Sequence, residues 1–377
     1  MCAKLGDVSE SDHPWNLPRQ PPIEPMLAKL ARKLPPGEDE WLFEPKWDGF
    51  RCIVFRDGDR IELYSRNRKP LGRYFPELST PLQRALPERC IVDGEIVVPD
   101  LGDRGLDFDA LLQRIHPAES RINRLAAETP AEFVAFDLLA KGDRELVDQA
   151  MLTRRALLVD SIEQNERVRL TPSSTDRMQA EEWFDAFEGA GLDGVIAKPV
   201  AGTYEQGKRA LIKVKHVRTA DCAVPGYRIH KDGNGVGSLL LGLCTTEGEM
   251  RSVGVAASFS VKRRAELLAK LSPHTGEDAL IDHPWADWAK LQAERDGNEA
   301  AGKLTASLAG SRWSASKNLS FVPIRMGLVA EVTFGQLEGG RFRHGVGFVR
   351  WRPDRSPESC RFDQLDVAVP VRFSTLF

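Results

Sequence analysis

Short apolar runs punctuated by Gly, Pro and Asp-Gly pairs dominate the first half of the chain. WLFEPKWDGFRCIVFRDGDRIELYSRN (41–67) reads as strands and turns, with Asp57-Gly58 between CIVF and IELYS as a strong hairpin signal. CIVDGEIVVPD (90–100) and FVAFDLL (133–139) are strand-like, the second a buried strand ending in a carboxylate. DGVIAKP (193–199) and ALIKVKH (210–216) read as two more strands. Helical stretches lie between them: PELSTPLQRALP (76–87), LDFDALLQRIH (106–116), ESRINRLAAE (119–128) and MLTRRALLVDSIEQN (151–165). A further helix, TDRMQAEEWFDAFEGAG (175–191), is stopped by Gly189 and Gly191. PMLAKLARKL (25–34) is expected to be a short helix, and the polar, proline-dotted residues 1–22 a flexible N-terminal segment.

The pattern changes after about Val217. Residues 221–256 read strand, Gly-rich turn, strand, turn, strand, and Lys262–Leu271 reads as a charged helix. GLVAEVTFGQLEGG and FRHGVGFVRWRPD supply closing strands, while 272–315 takes no firm assignment. Strands and helices mix without a regular βαβ alternation, which predicts an α+β fold with antiparallel sheets. The later strands suit a small Greek-key β-barrel of the OB-fold type. The expected organisation is a lead-in (1–22), a first domain (23–218) and a barrel domain (219–377).

Composition narrows the picture. A chain of 377 residues suits two or three domains at about 150 residues each. A net charge of −3 argues against a wholly basic nucleic-acid wrapper, so any such contact must come from local clusters. The six cysteines are scattered without metal-ligand spacing, which suits a reducing, cytoplasmic setting and not a zinc site. The N-terminus lacks the apolar core of a signal peptide, and no apolar run is long enough to span a bilayer.

The stretch most suggestive of chemistry is EPKWDGFR (44–51), read as a strand end and a tight turn with Lys46 just before it. Partial shielding by Trp47 would favour the neutral amine, the form a nucleophile needs. The plain alternative is a hairpin turn carrying a solvated lysine. Asp93 and Glu95, two apart on a strand, share one face and could hold magnesium or a ribose. Lys213 and Lys215 also share a face and could grip one phosphate, or could simply guard a sheet edge. Phe136 could stack on a base or fill a core. Asp193 and Lys198 bracket an apolar strand. SRNRK (65–69) and RFRHGVGFVRWRPDR (341–355) are basic clusters that could be solvated faces or phosphate grips.

Each signal is weak alone, but KWDG, SRN, VDGE, FxxFD, DGVxAK, KVK and a late RWRPD occur in order. In this the chain resembles the nucleotidyltransferase motifs of the ATP-dependent DNA ligases, closest to the stand-alone bacterial C-type ligases, over roughly residues 21–377. The resemblance implies a nucleotidyltransferase domain of ATP-grasp-like antiparallel sheets followed by an OB-fold domain, in a minimal two-domain ligase. It implies that Lys46 carries AMP, Glu44 reads the adenine amino group and Phe136 stacks on adenine. Arg51 and Glu95 would contact the ribose region, and Arg66 would touch phosphate or the nick. Glu95 and Asp193 would support Mg²⁺ or Mn²⁺, Lys213 and Lys215 would hold the α-phosphate, and Arg352 and Asp354 would approach the triphosphate tail. The family usually has glutamate where Asp193 stands, often tryptophan where Leu211 stands and commonly lysine where Arg355 stands. Implied partners are ATP and nicked duplex DNA, with a repair polymerase or end-binding proteins as family-level candidates, and the implied state is a monomer. RNA ligases, GTP-using capping enzymes and a non-catalytic DNA-binding module remain the competing readings.

Overall fold

The computed structural model describes residues 14–37, 39–103, 105–186, 190, 192, 194–216, 218–293, 320–338, 340–343, 345–365 and 371–377. Two compact units emerge, one of residues 1–216 with 368–377 and the other of residues 217–367.

In the first unit, β1 (Ala28–Ala31), β2 (Trp41–Pro45), β3 (Phe50–Asp57) and β4 (Arg60–Ser65) come first. Then follow α1 (Ser79–Ala85), β5 (Arg89–Val97), α2 (Phe108–Gln113), α3 (Glu119–Glu128), β6 (Glu132–Lys141) and β7 (Arg144–Glu145). α4 (Met151–Ser161), β8 (Val168–Leu170), α5 (Arg177–Ala186), β9 (Gly194–Pro199) and β10 (Leu211–Lys215) complete it. Two sheets result, one ordered β4-β3-β5-β6-β7 with β8 alongside β6, the other β1-β10-β9-β2. Pairing is antiparallel except for β1 with β10 and β6 with β8. The α+β expectation therefore holds.

An apolar cluster joins the two sheets: Ile53, Phe55 and Ile91 of the larger one meet Met26, Tyr204 and Leu211 from the smaller side. Leu82 of α1 and Leu111 of α2 cover the larger sheet's other face, and Ala180, Trp183 and Phe184 of α5 cover the smaller sheet's.

Three sequence expectations change here. Residues 25–34 contain strand β1 instead of a helix, because Ala28–Ala31 pair in parallel with Leu211–Val214 and that ladder overrides local helix propensity. Residues 14–22 are not loose: Trp15 and Leu17 are buried against the larger sheet, and Asp57 accepts the backbone N–H of Asn16. The plain alternative for EPKWDGFR, a hairpin turn, does not form, because β2 ends at Pro45 and β3 belongs to a different sheet. The Asp57-Gly58 hairpin does form, with Asp57 opposite Arg60 and Gly58 at φ +61°.

The second unit has β11 (Arg218–Ile229), β12 (Val236–Cys244), β13 (Met250–Ala257), α6 (Val261–Leu271) and α7 (Ala286–Ala293). β14 (Val322–Pro323), β15 (Val329–Phe334), β16 (Gln336–Glu338), β17 (Arg341–Arg343) and β18 (Gly347–Trp351) follow. The main sheet runs β13-β12-β11-β15-β18, with β14 on β11. β11 gives its first half to β15 and its second half to β12, with a register shift around Pro225, which has no N–H to offer a ladder. The predicted barrel is an antiparallel sheet with no closing ladder among the described residues. An isolated parallel bridge between Ala256 and Val346 brings β13 to the lead-in of β18. α6 is capped by Ser260, whose hydroxyl accepts from the Arg263 N–H, and buries Leu267 and Leu271 in this unit's core. In the 272–315 stretch, α7 is the α-helix among the described residues. Also among the described residues, no helix is long and apolar enough to cross a membrane.

Gly49 lies inside the crossing from β2 to β3, where a Cβ would come 2.1 Å from the Ile96 carbonyl oxygen. Gly49→Ala is expected to lower the unfolding free energy by about 1–3 kcal/mol through forced backbone shift, measured by urea denaturation.

Candidate active site

The chain leaves β2 at Pro45 in one sheet and enters β3 at Phe50 in the other, so Lys46 stands at the seam between them. Its backbone N–H donates to the Gly194 carbonyl at 2.8 Å, and its Nζ lies 3.5 Å from the Trp47 carbonyl oxygen. A pocket of about 270 Å³ opens here, lined from both sheets. Glu44, Lys46 and Arg51 come from the β2–β3 region, Glu95 from β5 and Phe136 from β6. Lys198 and Lys213 come from β9 and β10, with exposed Arg66 and Arg209 also on its lining.

Glu44 is almost fully buried and meets the buried Lys198 ammonium at 2.7 Å through Oε2. Among the described residues its Oε1 has no hydrogen-bond partner. Burial pushes the Glu44 carboxyl above its ordinary range, with Lys198 and Arg155 opposing the shift. Lys198 also donates to the Phe136 carbonyl at 3.0 Å and lies 4.8 Å from the Phe136 ring centroid. The Arg51 guanidinium sits 4.4 Å from the same ring centroid.

Arg51 is held by a two-pronged ion pair to Asp93, at 2.6 and 2.5 Å, and Tyr204 donates its hydroxyl to Asp93 at 2.5 Å. Burial works against the Arg51 charge, but Asp93 outweighs it and the guanidinium titrates above its ordinary value. The expected Asp93/Glu95 pair is thereby divided. Asp93 is fully buried and committed to Arg51 and Tyr204, while half-buried Glu95 lines the pocket opposite Arg51 in the β3–β5 ladder. Glu95 is pushed up to about 7 by desolvation, with Arg51 and Lys46 pulling the other way.

Lys213 faces the pocket, and burial together with the charges of Lys215, Lys46, Arg66 and Arg209 lowers its pKa. Lys215, two residues on, is not on the lining but adds its charge to that field. Asp193 lies outside the described residues. Arg352 belongs to the second unit, where it pairs with Asp221 at 2.9 Å and Asp354 at 2.7 Å. The neighbouring Arg350 pairs with Glu331 at 2.6 Å, so much of that basic cluster is locally neutralised.

Residues 25–215 match the ATP dependent DNA ligase domain family, and residues 232–355 match the ATP dependent DNA ligase C terminal region. The chain is 49% identical over 366 residues to DNA ligase C of Mycobacterium tuberculosis, covering 96% of this chain and 98% of that protein. The chain belongs to the ATP-dependent DNA ligases.

This ligase is also 50% identical over 353 residues to DNA ligase C2 of Mycolicibacterium smegmatis, covering 93% of this chain and 96% of that one. A solved structure from work on Lig E DNA ligases shares its fold at a TM-score of 0.54 and 17% identity, over 87% of this chain and 99% of that one.

Sequence reasoning treated Lys198 as the end of a strand and missed its place beneath the pocket. The available signal was a lysine two residues beyond Ile196 on an otherwise apolar strand, where only a buried acid could tolerate it. Arg209 and Tyr204 carried no local signal, because only the tertiary fold brings Arg209 to the pocket lining and the Tyr204 hydroxyl to Asp93.

Removing Lys198 would leave Glu44 as an uncompensated buried charge. Lys198→Met is expected to cost about 3–5 kcal/mol of unfolding free energy, and adding Glu44→Gln should recover part of it in the same denaturation assay. A Glu95 pKa raised from 4.5 to about 7 means that the native state binds more protons than the unfolded state between those values. Stability should therefore fall as pH rises through that window, and Glu95→Gln should flatten this slope in urea midpoints measured without ATP or metal.

Proposed function

We propose that the pocket at the sheet seam is the adenylation centre of an ATP-dependent DNA ligase, with Lys46 as the residue that carries AMP. The observation that carries this reading is the Oε1 atom of Glu44, a buried acceptor without a partner among the described residues, in a pocket that Lys46 also lines. An unpaired buried acceptor favours a ligand that donates a hydrogen bond there. The exocyclic amine of adenine does so; guanine presents a carbonyl oxygen at that position and would be repelled. ATP is thus favoured over GTP. Phe136 supplies a flat apolar surface for the base, kept in place by Lys198 on its carbonyl and Arg51 over its ring.

The Lys46 Nζ attacks the α-phosphorus, forming a P–N bond as the bond to pyrophosphate oxygen breaks. Lys213, Arg66 and Arg209 stand where they can spread the negative charge that accumulates on the phosphates. The AMP then passes to the 5′-phosphate of a nick, and attack by the 3′-hydroxyl releases it and closes the strand. Among the described residues no cluster of three His, Cys, Asp or Glu groups forms a self-contained metal site. The desolvated carboxyl of Glu95, which among the described residues is not engaged in a buried ion pair as Glu44 is, instead fits a divalent ion shared with substrate phosphates, with Asp193 as a further candidate ligand. Such an ion would supply charge neutralisation at the phosphates.

Nicked duplex DNA is the proposed substrate, and DNA repair is the proposed setting. The five described cysteines are free and buried, which supports a reducing, cytoplasmic environment. Intact-protein mass spectrometry after incubation with ATP and magnesium should show one added AMP, and Lys46→Ala should abolish it. Undiminished labelling of that variant would remove Lys46 from the role.

A further inference from the structure

Lys46 is followed by a residue whose surroundings are unusual for an active-site neighbour. Trp47 is buried, and its indole N–H donates to the Thr171 hydroxyl at 2.8 Å. The ring is stacked on Phe377, the last residue of the sequence, at 5.2 Å between centroids and 10° between planes. Phe373 meets the same ring edge-on at 6.2 Å. Phe373 and Leu376 join Trp47, Val97, Val134 and Leu192 in one apolar cluster.

The segment is pinned at two further places. Asp103 accepts the backbone N–H of Ser374 at 3.0 Å and its hydroxyl at 2.7 Å. Arg169 lies 5.3 Å from the Phe377 ring centroid. These contacts place residues 371–377 behind the crossing segment, on a residue whose carbonyl oxygen lies 3.5 Å from the Lys46 Nζ.

We propose that the C-terminal segment 371–377 is a positioning element for Lys46 and acts through the ring of Trp47. The inference rests on Lys46 being the adenylated residue. The backbone of residues 45–49 is held on one side by the Gly194 carbonyl bond and on the other by the Trp47 ring. With Phe377 absent, the ring loses its stacked partner and one face of its enclosure, so the Trp47 carbonyl and the Nζ beside it gain freedom. Nucleophilic attack on phosphorus is sensitive to such freedom, because a misplacement of about 1 Å can cost up to about a hundredfold in rate. ATP binding is less exposed to it, since Glu44 and Phe136 are set by strands β2 and β6.

The test uses the full chain and four variants: Phe377→Ala, Phe377→Trp, Asp103→Ala and Lys46→Ala. Single-turnover protein–AMP formation is followed across ATP concentrations, well below each variant's melting temperature. Phe377→Ala should lower the maximal adenylation rate about tenfold while the half-saturating ATP concentration stays within about twofold. Asp103→Ala should move the rate in the same direction by less, and Phe377→Trp, which restores a stacking ring, should recover most of it. Sealing of a nick supplied with its 5′-phosphate already adenylated should fall less than the first step does. An unchanged maximal rate in Phe377→Ala overturns the proposal, and so does a rate loss that Phe377→Trp fails to recover. A wild-type chain that forms no protein–AMP, or a Lys46→Ala variant that still forms it, overturns instead the reading of the pocket.

Discussion

Four residues separate the last position of one sheet from the first position of another, and the site depends on that crossing. Pro45 ends β2 and Phe50 begins β3, so the backbone between them must run close to the strands it passes. That is why Gly49 sits against the Ile96 carbonyl, where no side chain fits, and why the amide of Lys46 is tied to Gly194. A lysine on a hairpin tip would sweep through solvent; on this segment its root is fixed from both sides. The remaining pocket residues come from strands that flank the crossing, so one topological fact gathers groups far apart in sequence.

Electrostatics divides these groups into two layers. The inner layer is neutralised within the protein: Glu44 with Lys198, and Asp93 with Arg51 and Tyr204. These pairs fix orientation at the cost of desolvating charge, and they leave one Glu44 oxygen unanswered. The outer layer carries cations, and burial together with their mutual repulsion depresses the pKa of Lys213. Such an arrangement suits a ligand that is apolar and hydrogen-bonding at one end and polyanionic at the other. The order of the layers, acid beneath and cations above, also sets which end of the ligand enters first.

Much of this was legible in the chain before any coordinates. Strands β3 to β6 and β9 to β10 announced themselves through alternation and β-branched runs, and ordered short motifs marked Lys46, Glu95, Phe136 and Lys213. What stayed hidden depended on long-range pairing. Residues 25–34 have the composition of a helix but are claimed as a strand by β10, across nearly the whole first unit. EPKWDGFR carried a genuine Asp-Gly signal whose cause was close approach of backbones, not a reversal of direction. Lys198 looked like the end of a strand because its partner, Glu44, is contributed by the neighbouring strand β2.

The return of residues 371–377 to the first unit has a topological consequence. The second unit, residues 217–367, is spliced into the first as an insertion and does not hang from one end. If it unfolded while the first stayed native, it would be a closed loop and not a free tail. Closure of a loop that long lowers its chain entropy by roughly 4 kcal/mol on the random-flight scale. The docking of a few aromatic rings beside Trp47 therefore also makes disorder in the insertion less favourable, and lends it a stability that its own core does not have to supply.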